Sequence, residues 1–125
     1  MQILLFVGIG GFIGAISRFL LSSLMQQSVG NVFPLGTLSV NVLGGFLIGF
    51  LALYFQQHAS PEYRALVITG FLGALTTFST FSYESVVLLE SGNIMKAFSN
   101  IFINVILSIA ATMLGMLMFK KYFLH

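Results

Sequence analysis

The sequence predicts an all-α membrane protein with four transmembrane helices in each chain. Of the 125 residues, 58% are hydrophobic and only 6% are charged, and the mean hydropathy is +1.03. A membrane-spanning helix needs about 20 apolar residues to cross roughly 30 Å of hydrocarbon. Stretches of this kind occur at residues 3–25, 35–55, 65–89 and 97–119, joined by short turns. The length permits a single transmembrane domain, residues 1–125.

Composition excludes several other classes of protein. The chain has no cysteine, which rules out a disulfide framework or a thiolate metal site. The net charge of +2 comes from few ionised groups without a basic run, so nucleic acid is not an expected partner. His58 and His125 are expected in a loop and at the terminus, away from any catalytic cluster. The apolar run from Ile3 lacks the basic region of a signal peptide and is interpreted as a retained span.

The third span contains an unusual stretch, which reads GFLGALTTFSTFSY from Gly70 to Tyr83. Glycine is a poor helix former, and Thr and Ser hydroxyls compete for backbone groups, so this helix is predicted to be broken. Carbonyls freed at membrane depth are potential cation ligands. Phe78 and Phe81 would share one face if the helix resumes beyond the break. A packing face of small residues with aromatic fillers explains the stretch equally well.

The first and second spans each combine a GxxxG pair with a polar residue. Gly10 and Gly14 predict close helix contact in the first span, where Arg18 either extends to the interface or faces an aqueous vestibule. In the second span, Gly45 and Gly49 form the pair. Asn41 there either bonds a neighbouring helix or donates its N–H groups into a pore, where amide donors suit an anion.

The fourth span carries polar residues at regular helical spacing. They recur every fourth position and form one polar stripe: Asn100, Asn104, Ser108 and Thr112. Such a stripe either bonds neighbouring helices or lines a wet path. A four-helix chain has little interior in which to bury this stripe, which favours a dimer with part of the stripe in contact with water.

Lysine and arginine are almost evenly distributed between the two sides of the predicted topology. The side with both termini collects Arg64, Lys120 and Lys121, and the opposite side collects Lys96 and Arg18. Orientation in membranes follows the asymmetry of these charges. The chain is therefore expected to insert both ways round, which permits an antiparallel, dual-topology homodimer. A single orientation set by weak signals is the alternative.

Three segments together resemble the Fluc (CrcB) family of fluoride channels: GGFIGAISRF from Gly10 to Phe19, GTLSVNVLGGFLIG from Gly36 to Gly49, and GFLGALTTFSTFSYE from Gly70 to Glu84. The resemblance covers essentially the whole chain. It implies an antiparallel homodimer in the inner (plasma) membrane with two parallel fluoride pores. It also implies a structural sodium ion at the centre of the dimer interface, and passive export of toxic fluoride.

The resemblance also implies roles for particular residues. Its pore phenylalanines correspond to Phe78 and Phe81, and its pore asparagine to Asn41. The sodium ligands correspond to the carbonyls of Gly73 and Thr76. The hydroxyl track of the family's last helix corresponds to Ser108 and Thr112. Asn100 and Asn104 lie on the same track, where Tyr and Ser are expected in the family. The vestibule charges correspond to Arg18 and Glu84.

The chemistry of fluoride agrees with this assignment. Fluoride is small and strongly hydrated, so a path must replace its water with hydrogen-bond donors, and aromatic rings add a positive edge. The main alternative is a small proton-coupled multidrug exporter with Glu84 as its carboxylate, although Glu84 also fits a position where the span approaches water. A structural or assembly protein without transport is the third class.

Overall fold

Four long helical stretches make up the fold. The computed structural model describes residues 1–58 and 60–124. The stretches that are long and apolar enough to cross a membrane are Gln2–Val29, Leu35–His58, Pro61–Glu90 and Ile94–Phe123. The predicted all-α architecture with four transmembrane helices is confirmed. We call the first two α1 and α2. His58 ends α2 and does not lie in a loop as expected, and His125 lies outside the described residues.

The turn after α1 is shorter than the sequence suggested. Helix α1 continues to Val29 and ends at Gly30, which has a φ of 66°. Gln26, which we expected in the turn, is helical. Its side-chain oxygen accepts a hydrogen bond from the Gly36 N–H at 3.0 Å, and its amide N–H donates to the Phe33 carbonyl at 2.8 Å. Gln26 therefore fixes the start of α2 against the end of α1, because the first N–H groups of a helix need partners from outside it.

The third span is assembled from several helical segments. It begins with α3, Pro61–Arg64, whose N-cap Ser60 accepts a hydrogen bond from the Tyr63 N–H. A π-helix, Ala65–Leu72, continues the span. Next come α4, Gly73–Leu75, and α5, Ser79–Glu90. Between α4 and α5 the residues Thr76–Phe78 form a segment that we call the linker, and Thr76 is extended with φ −85° and ψ 158°.

The last helix, α6, is Ile94–Phe123. Gly92, with a φ of 84°, lies in the short turn that separates it from α5. This conformation favours glycine because a side chain there would be strained.

Glycines allow the helices to pack closely in two pairs. A Cβ atom added at Gly10 or Gly14 of α1 would overlap backbone carbonyls of the π-helix. A Cβ atom at Gly49 of α2 would likewise overlap the Thr112 carbonyl of α6. The close helix contacts predicted from both GxxxG pairs are therefore confirmed. The second contact also brings the polar stripe of α6 directly against α2.

The outer surface is rich in large apolar side chains. Phe12 of α1 is 69% exposed and Phe102 of α6 is 66% exposed, whereas Val40 and Phe119 are fully buried. Exposed apolar side chains of this size suit a helix that contacts lipid tails, which are as apolar as the side chains themselves. Together with the four spans, this surface indicates a multi-pass membrane protein.

Candidate functional site

A groove of about 440 Å³ lies between α2, α6 and the third span. Several of the residues predicted from the sequence line it: Asn41, Gly73, Thr76, Phe78, Phe81, Asn104 and Ser108. None of the described residues that line the groove is ionisable. Its polar groups are amides, hydroxyls and backbone groups, so it offers dipoles and hydrogen-bond partners without a fixed charge.

Asn41 holds the linker to α2. Its side-chain oxygen accepts a hydrogen bond from the Thr77 N–H at 2.8 Å, and its Nδ2 donates to the Thr77 carbonyl at 3.1 Å. The same Nδ2 donates to Oδ1 of Asn104 at 3.1 Å. One side chain thus satisfies both backbone groups of a residue that is only 8% exposed. The sequence placed Asn41 near a pore but gave no sign that the linker is its partner.

The hydrogen bonds of the linker leave two carbonyls without the donors that a continuous helix would supply. In an α-helix each N–H donates to the carbonyl four residues earlier. The Thr77 N–H would therefore donate to the Gly73 carbonyl, and the Thr80 N–H to the Thr76 carbonyl. Here the Thr77 N–H donates to Asn41. The Thr80 N–H donates to Oγ1 of Thr77 at 3.2 Å. The Gly73 and Thr76 carbonyls are therefore freed from these two bonds, and carbonyl oxygens are ligands for hard cations.

The two phenylalanines meet at the start of α5. Their ring centroids are 5.4 Å apart with an interplanar angle of 67°, an edge-to-face contact. Phe78 is 76% exposed, whereas Phe81 is 7% exposed. Both rings line the groove. Phe81 forms part of its buried wall, while Phe78 projects from the surface of the chain.

The polar stripe of α6 divides into two halves. Asn100 is fully buried and Asn104 is 4% exposed, and both amides are hydrogen-bonded. Further along α6, Thr112 donates to the Ser108 carbonyl at 3.0 Å. The Ser108 hydroxyl is buried without a hydrogen-bond partner among the described residues. Ser108 lines the groove, so its hydroxyl, unpaired within the described part of the chain, is a donor beside the groove.

Ser85 belongs to the site although the sequence did not single it out. It is 5% exposed, its hydroxyl donates to the Phe81 carbonyl at 2.9 Å, and it accepts from Nδ2 of Asn100 at 2.9 Å. Its position four residues after Phe81, on the same helical face, was the available signal.

The two predicted vestibule charges lie away from the groove. Glu84 lines a separate pocket of about 310 Å³ together with Gln26, Asn31 and Tyr83. Its Oε1 is buried without a hydrogen-bond partner among the described residues. Arg18 is partly exposed on α1. Across residues 1–58 and 60–124, no group of three or more His, Cys, Asp or Glu residues could hold a metal ion.

The fold and the groove define a class of protein: a multi-pass membrane protein with an uncharged groove between its helices, lined by apolar side chains together with amides and hydroxyls. A family profile described as "CrcB-like protein, Camphor Resistance (CrcB)" matches residues 5–116. The chain belongs to the CrcB family, as its resemblance predicted.

Relatives support this membership over nearly the whole chain. The fluoride-specific ion channel FluC of Sulfurovum sp. is 58% identical over 121 residues, covering 97% of this chain and 96% of the relative. The protein of the same name from Nitratiruptor sp. is 56% identical over 117 residues, with 94% and 91% covered. That of Shewanella sediminis is 53% identical over 116 residues, with 92% and 94% covered. These relatives are named as ion channels, so the expectation that the chain is not an enzyme is confirmed.

Proposed function

We propose that this protein is a fluoride-selective ion channel that passively exports toxic fluoride across the inner (plasma) membrane. The observation that carries the proposal is the groove, whose lining combines amides, hydroxyls and aromatic ring edges and contains no ionisable residue among those described. Such donors replace the water of a small anion without a full positive charge that would hold it too tightly to leave. The names of the relatives support the same function.

The proposed fluoride path follows the groove and the polar stripe of α6. Its lining would consist of Asn41, Phe78, Phe81, Ser108 and Thr112. Asn104 and Asn100, the buried half of the stripe, would belong to the path through their hydrogen bonds to Asn41 and Ser85. The free hydroxyl of Ser108 supports this path because a buried donor without a partner is costly unless a ligand or water satisfies it. Arg18 and Glu84 would act outside the groove, as charges at its approach.

The channel would operate as an antiparallel, dual-topology homodimer with two pores. Two exposed parts of the groove support this assembly: Phe78 is 76% exposed and Gly73 is also exposed. A second copy packed on this face would cover both and close the groove. Measurement of the mass of the detergent-solubilised protein tests the dimer, and a monomeric mass for an active preparation would contradict it.

A structural sodium ion would lie at the dimer interface, held by the carbonyls of Gly73 and Thr76 from both chains. The residues fit this ion because the two carbonyls do not receive the hydrogen bonds of a continuous helix. The Thr77 N–H donates to Asn41 instead, and the Thr80 N–H donates to the Thr77 side chain. When bound, sodium would supply a positive centre that joins the two linkers. Replacing sodium with N-methylglucamine should lower the melting temperature of the dimer. An unchanged melting temperature would argue against the site.

Fluoride efflux from liposomes that contain the purified protein tests the proposed function. Efflux is followed with a fluoride electrode after valinomycin is added, because valinomycin lets potassium leave with fluoride and so balances the charge. We expect rapid release that needs no proton gradient. Release no faster than from protein-free liposomes would refute the proposal and leave a structural or assembly role.

A small proton-coupled multidrug exporter is the second candidate function. The observation that favours it is the buried Oε1 atom of Glu84, which lacks a partner among the described residues. The Glu84 side chain belongs to a residue that lines a pocket. An exporter would use this carboxylate to carry protons. Substitution of Glu84 distinguishes the two functions, as set out in the Discussion.

A further inference from the structure

The buried half of the α6 stripe belongs to a continuous series of hydrogen bonds that ends on Asn41. The Ser85 hydroxyl donates to the Phe81 carbonyl at 2.9 Å, and Nδ2 of Asn100 donates to Oγ of Ser85 at 2.9 Å. Nδ2 of Asn104 donates to Oδ1 of Asn100 at 2.8 Å, and Nδ2 of Asn41 donates to Oδ1 of Asn104 at 3.1 Å. We call Asn41, Asn104, Asn100 and Ser85 the amide chain.

Backbone groups at the two ends fix the direction of the amide chain. At one end the Phe81 carbonyl can only accept, so the Ser85 O–H is directed to it and Oγ of Ser85 is left to accept from Asn100. At the other end the Thr77 N–H can only donate, so it requires the oxygen of the Asn41 amide. Reversing any amide between these ends would place two donors or two acceptors against each other. The orientation of the Asn41 amide is therefore determined from both sides.

Burial separates Asn100 from direct contact with an ion, and hydrogen bonding occupies the N–H groups of Asn104, which does line the groove. Asn100 is fully buried and is not among the residues that line the groove. Nδ2 of Asn104 donates to both Oδ1 and the backbone carbonyl of Asn100, at 2.8 and 3.0 Å. What Asn104 directs toward Asn41 is its oxygen, which is an acceptor and would repel an anion.

We propose that Asn100 and Asn104 are positioning residues, which set the direction of the Asn41 N–H groups and affect ion selectivity through Asn41. The inference rests on the proposed function, in which fluoride passes Asn41. Asn41 alone among the three amides borders both the linker and the groove. Its Nδ2 is held by two bonds of 3.1 Å. They are longer than the other side-chain bonds of the amide chain, at 2.8, 2.9 and 3.0 Å, and they are the ones that an anion would replace.

A double-mutant cycle on ion flux tests the proposal. Asn104→Leu and Asn100→Leu remove the amides but keep a side chain with the same branched shape. Each is made in the native chain and in an Asn41→Ser background. Asn93→Leu is the matched control because Asn93 is exposed just before α6 and its side chain bonds only Ser91 among the described residues. Fluoride flux, chloride flux and the melting temperature are measured for every variant.

We expect Asn104→Leu to lower both fluoride flux and the fluoride-to-chloride ratio about tenfold in the native chain. In the Asn41→Ser background the further loss should be less than about twofold, because residues that act through one another are not additive. Asn100→Leu should change the ratio in the same direction, although Asn100 does not line the groove. Equal losses in both backgrounds would overturn the proposal, since Asn104 would then contact the ion itself. Unchanged flux in the native background would also overturn it.

Hydrogen exchange supplies a readout that does not depend on transport. If Asn104 holds the Asn41 amide in place, Asn104→Leu should speed exchange of the Thr77 N–H, which Asn41 protects. Asn93→Leu should leave that exchange unchanged. Equal Thr77 exchange in the native protein and Asn104→Leu would overturn the positioning role. If the native protein carries no fluoride, the proposed function fails, and the exchange measurement still decides whether the amide chain positions Asn41.

Discussion

The Oδ1 atom of Asn41 accepts a hydrogen bond from the Thr77 N–H at 2.8 Å, across 36 positions of sequence. A side chain of α2 therefore replaces a carbonyl of the third span as the acceptor for this backbone group. The replacement holds the linker in an extended conformation at Thr76. Because Asn41 also belongs to the site that we propose for fluoride, a change at Asn41 should affect both the stability of the third span and that site.

Asn41→Ala should lower both stability and fluoride flux. The substitution leaves the N–H and the carbonyl of Thr77 without their Asn41 partner in a position that is 8% exposed. An unsatisfied buried group costs about 1–3 kcal/mol. Thermal unfolding in detergent measures the loss, with Asn93→Ala as a control of the same residue type at an exposed position. A melting temperature equal to that of the control would show that the Asn41 bonds do not stabilise the linker.

Gly49→Ala should destabilise the contact between α2 and α6. The added methyl group would overlap the Thr112 carbonyl, and forcing extra volume into a packed contact costs about 1–3 kcal/mol. Gly8→Ala is the matched control because no atom of another part of the chain lies within 4 Å of a Cβ atom at that position. The melting temperature should fall for Gly49→Ala only. Equal changes in the two variants would contradict the close packing that places the polar stripe against α2.

Phe78→Ile and Phe81→Ile should each reduce fluoride flux, because both substitutions remove a ring edge from the groove. They should differ in stability. Phe81 is 7% exposed and its replacement should cost about 1 kcal/mol or more within one chain. Phe78 is 76% exposed in one chain, so its replacement should cost only its contacts with the proposed second copy. Liposome flux and melting temperature together check this. Normal flux in both variants would remove the rings from the mechanism.

Glu84→Gln should leave the protein conducting. If the protein is a channel, this carboxylate lies in a pocket apart from the groove. Its loss would change the charge near the entrance of the groove but would leave the residues that line the groove unchanged. In a proton-coupled exporter the same substitution removes the proton carrier and should abolish transport. Fluoride efflux and proton-coupled drug transport, each measured for the native chain and for Glu84→Gln, separate the two cases. Complete loss of transport in Glu84→Gln would favour the exporter.

The sequence predicted the spans and several of the residues that line the groove, because both depend on local patterns. Apolar stretches of sufficient length gave the four helices, and the spacing of Asn100, Asn104, Ser108 and Thr112 placed them on one face. The chain's resemblance to its family pointed to Asn41, Phe78 and Phe81. These predictions needed no knowledge of which side chains meet across helices.

What the sequence could not predict depends on contacts between distant segments. The bonds of Asn41 to Thr77 and Asn104 join residues from three separate helical stretches, and no local pattern indicates them. Phe78 and Phe81 were expected on one face, but their exposure differs greatly because only Phe81 lies within the buried part of α5. The π-helix at Ala65–Leu72 was also unforeseen. Its residues carry no signal that separates it from an ordinary apolar helix.

The ratio of fluoride to chloride flux in the same liposome preparation tests the central claim most directly. A groove of uncharged donors and ring edges should pass the small anion and refuse the larger one. We therefore predict fast, voltage-driven fluoride release together with chloride release at the level of protein-free liposomes. Chloride release as fast as fluoride release, or no release of either ion, would contradict the account.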